Sequence, residues 1–137
     1  MTRINLVEPS ELMDQHLMAE YCEIRMLCAN LQRTLKSKVG FQESKVPNKF
    51  TLNSGHVYFF YNKGEYIHKR YGLLRQELKK RGMSADLEFP THVWPDHLYN
   101  DWTPTEADKN VVRERISSRI ARKPGWYRYY GKTQKKS

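Results

Sequence analysis

The second residue of the chain is the first candidate for chemistry. The sequence begins MTRINL, and removal of Met1 before the small Thr2 would leave the threonine α-amine as the terminus. An α-amine with a pKa of about 7.8 is about 15% neutral at pH 7, whereas a lysine with a pKa of about 10.4 is about 0.04% neutral. Because only a neutral amine attacks carbon, this terminus could act as a nucleophile without the burial that a lysine would need.

A histidine and two carboxylates form a second candidate group. At about 100° of rotation per helical residue, His16, Glu20 and Glu23 lie along one flank of a predicted N-terminal helix. Glu20 falls nearly within the apolar stripe of that helix, and burying an unpaired carboxylate is costly. We therefore expect Glu20 to be paired with an arginine, protonated or used in chemistry.

Cations and aromatic residues cluster near the C-terminus. Three arginines recur at steps of four and three on one face of a predicted C-terminal helix: Arg115, Arg119 and Arg122. The segment KPGWYRYYGK follows directly, and rings that stack on bases are used together with cations in nucleic acid binding. The alternative is that Trp126, Tyr127 and Tyr129 cover the core as a flap, and alternate residues could do both.

Other titratable clusters give weaker signals. His92 and His97 flank Asp96, but they lie in a proline-broken loop and not in a helical His-Glu-x-x-His frame. We predict no metal ion and no cofactor. Cations of the middle helix could be only a solvated face: Lys69, Arg70, Arg75, Lys79, Lys80 and Arg81.

A helical framework is expected to position these groups. Apolar residues recur at three- and four-residue steps in the first part of the chain, which predicts one long helix over residues 11–37 with Ser10 as its cap. A second helix is predicted over residues 64–81 and a third over residues 104–123, with Thr103 and Glu106 as a capping box. The aromatic stretch 50–63 is compatible with either strand or helix.

The predicted fold class is all-α. We expect a compact single domain over residues 1–137 with three main helices, long irregular connections and an aromatic-basic C-terminal segment. Cys22 and Cys28 do not form a disulfide framework or a zinc spacing. With no apparent leader or membrane segment, we expect a soluble, reduced protein of the cytoplasm, of a host cell or its nucleoid if phage-encoded.

The charge of the chain points to a polyanionic partner. The formal net charge is +9, with 39% hydrophobic residues. Nucleic acid is the commonest partner of such a chain, whereas no strongly basic amphipathic helix indicates a membrane surface. We expect a monomer that binds double-stranded DNA.

Four stretches of the sequence carry a specific resemblance. MTRINL, DQHLMAEYCE, GHVYFFYNK and WYRYYGK follow one another between residues 1 and 132. In these stretches the chain resembles the phage pyrimidine-dimer glycosylases, the endonuclease V type enzymes of ultraviolet repair. The resemblance implies an all-α domain that cuts the glycosyl bond of a cyclobutane dimer in damaged DNA and then cleaves the abasic strand as a lyase.

The resemblance also implies site residues, position by position. The α-amine of Thr2 matches the nucleophile, which forms an imine with the sugar, and Glu23 matches the essential acid. The resemblance implies active-site positions for Arg3, Gln15 and His16, and basic DNA-binding positions on the third helix for Arg115 and Arg119. The interleaved cations and aromatic residues of the tail add three expected DNA-binding residues: Trp126, Tyr127 and Arg128.

Two positions depart from the family pattern. Cys22 and Met26 stand where the family has arginine. Arg25 could supply one of these charges to the DNA, although on a helix it points about 100° away. Two alternatives to dimer repair therefore remain open. One is a sister glycosylase and lyase for another damaged or modified base, and the other is a DNA-binding protein without catalysis.

Overall fold

The fold is all-α, as predicted, and it is built on three long helices. The computed structural model describes residues 3–133, so the predicted nucleophile Thr2 lies outside the described residues. The helices are α1 (Asp14–Lys36), α2 (His56–Phe59), α3 (Gly64–Lys80) and α4 (Glu106–Arg122). A short antiparallel pair, β1 (Arg128–Tyr129) and β2 (Lys132–Thr133), follows α4. In the described part of the chain, no helix is long and apolar enough to cross a membrane.

The core lies between α1 and α3. The apolar stripe of α1, which includes Leu17, Ile24 and Leu31, is buried against the α3 stripe that contains Leu74 and Leu78. Both stripes follow the three- and four-residue spacing of the sequence, which places their side chains on one face of each helix. The two helices therefore form the rigid support on which the remaining segments are fixed.

The first helix starts later than predicted. Residues Pro9–Glu11 form a single 3₁₀ turn, and α1 begins at Asp14 without a side-chain cap. Ser10 is not the cap because it lies inside this turn, and Met13 stands at the N-cap position of α1. The carbonyls of Pro9 and Ser10 accept hydrogen bonds from Arg81 at 3.2 and 3.5 Å. The turn before α1 thus provides backbone carbonyls that accept hydrogen bonds from the buried side chain of Arg81.

The start of α4 is also displaced from its prediction. The capping box is formed by Thr105 and Asp108, and not by Thr103 and Glu106. The Thr105 hydroxyl accepts a hydrogen bond from the Asp108 N–H at 3.1 Å, and the Asp108 carboxylate accepts one from the Thr105 N–H at 3.0 Å. An aspartate in this register serves as well as the glutamate that the motif names.

The stretch 50–63, which was compatible with two structures, contains the short helix α2. Phe59 and Phe60 are buried, and Phe50 and Trp102 pack around them with ring centroids 5.1–6.3 Å apart. Gly64 follows at the start of α3, where an added Cβ would lie 2.5 Å from Trp94. This aromatic cluster packs α2 close to the start of α3. Through Phe50 it also holds the segment that precedes α2.

Two of the middle cations, Arg70 in α3 and Arg81 directly after it, do not lie on a solvated face, which was one possibility for this set. Arg70 is buried and forms a two-point ion pair with Glu20, with N–O distances of 2.7 and 3.0 Å. The buried side chain of Arg81 donates to Asp14 at 3.0 Å and to Glu77 at 2.9 Å. Glu20 thus has the arginine partner that was one of its expected outcomes. Lys79 and Lys80 are exposed, as predicted.

Candidate active site

A cavity of about 200 Å³ opens between the N-terminal segment, α1, α4 and the C-terminal tail. It brings together seven of the predicted site residues with two that were not predicted. The lining residues are Arg3, Asn5, Gln15, His16, Ala19, Arg115, Arg119, Trp126 and Tyr127. None of them is acidic, so the cavity is suited to an anionic ligand.

Three arginines set the charge of this cavity. Arg3 comes from the N-terminal segment, while Arg115 and Arg119 lie one turn apart on α4. Burial, together with the positive charges of Arg119 and Arg3, lowers the pKa of Arg115. The repulsion between these positive charges lowers the stability that the site contributes to the fold. A bound phosphate would reduce this repulsion.

His16 lies against the wall of the cavity. Its ring stacks on that of Tyr127, with the centroids 4.6 Å apart. Among residues 3–133, neither ring nitrogen has a hydrogen-bond partner. Burial, with Arg115 and Arg119 nearby, lowers its pKa to about 4. The ring is therefore neutral at pH 7, and it can donate one hydrogen bond to a ligand and accept another.

Gln15 attaches the C-terminal tail to the cavity. Its side-chain amide donates to the Trp126 carbonyl at 2.8 Å and accepts from the Arg128 N–H at 2.9 Å. Tyr127, which lies between these two residues, is 8% exposed, whereas Trp126 is 49% exposed. The two aromatic residues thus divide the roles foreseen for the tail, with Tyr127 covering the interior and Trp126 presenting a ring to solvent.

Glu23 lies on α1 outside the lining of the cavity and is half-buried. Within residues 3–133 its carboxylate makes no ion pair. Burial raises its pKa, and the positive charge of Arg3 partly opposes this rise. Arg3 therefore acts on both the cavity and the Glu23 carboxylate.

Two predicted binding residues are not brought to the cavity. Arg25 donates to the carbonyl of Glu88 at 3.3 Å, and Arg128 is exposed in β1 beyond the lining residues. Cys22 and Met26, at the positions that depart from the family pattern, are both exposed, Met26 to 58%. Neither position therefore has a role in the core.

A second cavity, of which the sequence pattern gave no indication, lies beside the first and shares Arg3 with it. It has a volume of about 720 Å³, and Arg3 lines it together with His56 and Tyr58. His56 was within the GHVYFFYNK stretch, but its type and spacing gave no sign of a role. Asn5, which lines the first cavity, lay similarly unassigned in MTRINL. Over residues 3–133, no three His, Cys, Asp or Glu side chains form a group that could hold a metal ion.

Comparison with known protein families gives a match over the N-terminal two thirds of the chain. A family model described as pyrimidine dimer DNA glycosylase matches residues 1–91. The matched part contains the N-terminal segment, α1, α2 and α3, with Arg3, Gln15, His16 and Glu23. The wall formed by α4 and the tail lies beyond it, so the cavity is completed by residues that follow the matched region.

Proposed function

Since the chain belongs to the pyrimidine dimer DNA glycosylase family, we propose that it excises cyclobutane pyrimidine dimers through an imine formed by the Thr2 α-amine. It then acts as a lyase and cleaves the abasic strand by β-elimination. Family membership supports the glycosylase activity on DNA. The imine and the lyase step rest on the chemistry argued below.

One observation carries the proposal. Arg3, which is joined directly to Thr2, lines the arginine-rich cavity, and its charge also acts on the Glu23 carboxylate. The N-terminal segment, an arginine-lined cavity and a carboxylate with a raised pKa therefore meet at one residue. In the proposed function they would supply the nucleophile, a place for DNA phosphate and a proton carrier.

The proposed reaction proceeds in three stages. The neutral Thr2 amine attacks the sugar C1′, and the bond from C1′ to the base breaks with its electron pair leaving on the base. The attached amine loses one proton, O4′ gains a proton as the C1′–O4′ bond breaks, and a protonated imine is left between the Thr2 nitrogen and C1′. Loss of a C2′ proton and departure of the 3′ phosphate with its electron pair complete the β-elimination.

Glu23 is proposed to carry protons in these steps. A carboxyl group with a raised pKa exchanges protons more readily near neutral pH than an ordinary one does. In its ionised form it also stabilises positive charge that develops at C1′. Arg115 and Arg119 are proposed to hold phosphates of the damaged strand, and Trp126 offers an exposed ring for stacking on a base.

Borohydride trapping tests the proposal. Reduction of the imine should join the protein permanently to duplex DNA that contains a pyrimidine dimer or an abasic site. Acetylation of the N-terminus should abolish the adduct, and intact-mass spectrometry of active protein should show a chain that starts at Thr2. Full activity in protein that uniformly retains Met1 would contradict the assignment of the nucleophile.

A second candidate substrate follows from Cys22 and Met26. Their exposed side chains on α1 replace two arginines of the family pattern, so the surface around Glu23 is less basic and more apolar. Such a surface favours a different damaged or modified base over the dimer. A panel of duplexes with dimers, abasic sites and modified bases separates the two candidates, and binding without any trapping would indicate a DNA-binding protein.

A further inference from the structure

The N-terminal segment is fastened to the segment 51–56, which precedes and begins α2. The Nε atom of Arg3 donates to the Leu52 carbonyl at 2.7 Å. The backbone N–H of Ile4 donates to Nε2 of His56 at 3.0 Å, and the Ile4 side chain is fully buried. The two residues that follow Thr2 are therefore each held by this one segment.

The second bond of His56 determines which ring nitrogen carries the proton. Nδ1 lies 2.7 Å from the Thr51 carbonyl, which can only accept a hydrogen bond. Nδ1 must then carry the hydrogen, and in the neutral ring Nε2 is free to accept from the Ile4 N–H. Burial lowers the pKa of His56 to about 4, which keeps the ring in this neutral form at pH 7.

The ring itself has little freedom to move. His56 is 3% exposed, and the rings of Phe50 and Phe60 pack edge-on against it with centroids 5.5 and 5.4 Å away. The far end of the N-terminal segment is held separately, because the buried Arg70 donates to the Val7 carbonyl. The backbone between residues 4 and 7 is thus fixed at both ends by buried side chains.

We propose that His56 is a positioning residue for catalysis, which fixes the peptide of Ile4 and so sets the place of the Thr2 amine two residues earlier. The inference rests on the proposed function of that amine. Two residues of extended chain span only about 7 Å. A displacement of the Ile4 peptide should therefore displace the amine by a similar distance. A displacement of about 1 Å in a reacting group can lower a rate about 100-fold.

Two substitutions of His56 separate its two hydrogen bonds. In His56→Gln, the side-chain oxygen can replace Nε2 as acceptor for the Ile4 N–H, and the bond to Thr51 is lost. In His56→Asn, the side-chain nitrogen can replace Nδ1 as donor to Thr51, and the acceptor for Ile4 is lost.

The single-turnover rate of borohydride trapping on saturating abasic DNA should fall about 100-fold in H56N, and H56Q should be about tenfold or more faster than H56N. The dissociation constant for DNA should be the same in both variants.

The same substitution at another histidine provides a control. His68 lies on α3 and bonds to the Tyr99 hydroxyl at 2.8 Å, away from the N-terminal segment. H68N should trap at the rate of the unsubstituted protein. Equal trapping rates in H56N and H56Q would overturn the positioning role while leaving the proposed function in place. An unsubstituted protein that traps nothing would overturn both.

A measurement on the unsubstituted protein covers the case in which H56N does not fold. Nitrogen NMR of the imidazole should show a protonated Nδ1 and an unprotonated Nε2 for His56 at pH 7. A ring protonated at Nε2 could not accept from the Ile4 N–H, and this result would overturn the inference.

Discussion

Glu20 and Glu23 lie three residues apart in α1, and the two carboxylates have different surroundings. Glu20 is fully buried and bound at two points by Arg70. Glu23 is half-buried, has no ion-pair partner among residues 3–133, and has a pKa raised by burial. A carboxylate with a compensating arginine stabilises the fold, whereas one without it remains available to a substrate.

The substitution Glu23→Gln should therefore remove activity without harming the fold. We expect excision to fall about 100- to 10,000-fold, because the amide cannot exchange protons. A raised pKa means that ionisation of Glu23 opposes folding as the pH rises through that pKa, so the melting temperature of E23Q at pH 7 should equal or exceed that of the unsubstituted protein. Calorimetry and an excision assay on the same preparation check both parts.

Glu20→Gln is the matched contrast on the same helix. It leaves the Arg70 charge buried without its counter-charge, a change that typically costs about 3–5 kcal/mol of unfolding free energy. Urea denaturation should show this loss, and DNA cleavage per folded molecule should change far less than in E23Q. A stable but inactive E20Q would contradict this division of roles.

At the scale of secondary-structure elements, the start of α1 holds the end of the chain. Asp14 accepts hydrogen bonds from the backbone N–H groups of Tyr130 and Gly131, at 3.1 and 2.8 Å, next to the two bonds that Gln15 makes to the tail. The Arg81 guanidinium lies 4.7 Å from the ring centroids of both Tyr129 and Tyr130. These contacts hold the tail against α1, where Trp126 and Tyr127 line the cavity.

Gln15→Ala should loosen this wall locally. The variant loses both bonds to residues 126–128, a loss of about 1–3 kcal/mol if each bond contributes about 0.5–1.5. Hydrogen exchange should accelerate at the Arg128 amide, while the amides of Tyr130 and Gly131, held by Asp14, should change less. Gln76→Ala, at an exposed position on α3, is the control and should leave all three amides unchanged.

Much of this framework could be predicted from the sequence, because it depends on local spacing. The three long helices follow from apolar residues at three- and four-residue steps, and the ends of α3 and α4 were placed within about two residues. The start of α1 was not, because residues 9–11 turn toward Arg81, which is about 70 residues away in sequence. The spacing of neighbouring residues gives no information about a contact between residues so far apart in sequence.

The residues of the site could be predicted from the family resemblance and the composition of the tail, but their contacts could not. The resemblance named five of the residues that line the cavity, and the aromatic-cationic pattern of the tail added Trp126 and Tyr127. Neither gave an indication that Gln15 would bind the tail backbone. The cations between residues 69 and 81 were compatible with a solvated face because periodicity does not tell a buried arginine with a partner from an exposed one. Arg70 and Arg81 acquire their partners only through tertiary packing.

At the scale of the whole molecule, two groups of arginines differ in their surroundings. One group is neutralised within the protein, as in Arg113, which bonds to Glu11 and Glu106 at 2.9–3.0 Å. The other comprises Arg3, Arg115 and Arg119 around a cavity that no acidic residue lines. This cavity is thus a local concentration of positive charge at the place where DNA is proposed to bind.

The stability of the molecule should depend on pH through two histidines. His16 and His56 have pKa values lowered to about 4, so between pH 6.5 and 4 the unfolded chain binds more protons than the folded one. Unfolding free energy should therefore fall as pH is lowered through this window, by at most about 1.4 kcal/mol per pH unit for each group. Urea midpoints measured from pH 7 to 4 check this, and H56Q should show a shallower decline. A midpoint that stays constant from pH 6.5 to 5 would contradict it.

The division of the cations can be tested with one matched pair of substitutions on α4. Arg119→Ala removes a cation from the cavity, whereas Arg113→Ala removes one that already has carboxylate partners. Each phosphate contact lowers the slope of log affinity against log salt by about 0.9, since counterions are released from the duplex on binding. R119A should therefore bind any duplex more weakly and flatten this slope by about one, and R113A should leave it unchanged. Fluorescence titration over a range of salt concentrations measures both slopes, and an equal change in the two variants would mean that overall charge, and not the arginine-lined cavity, determines the affinity for DNA.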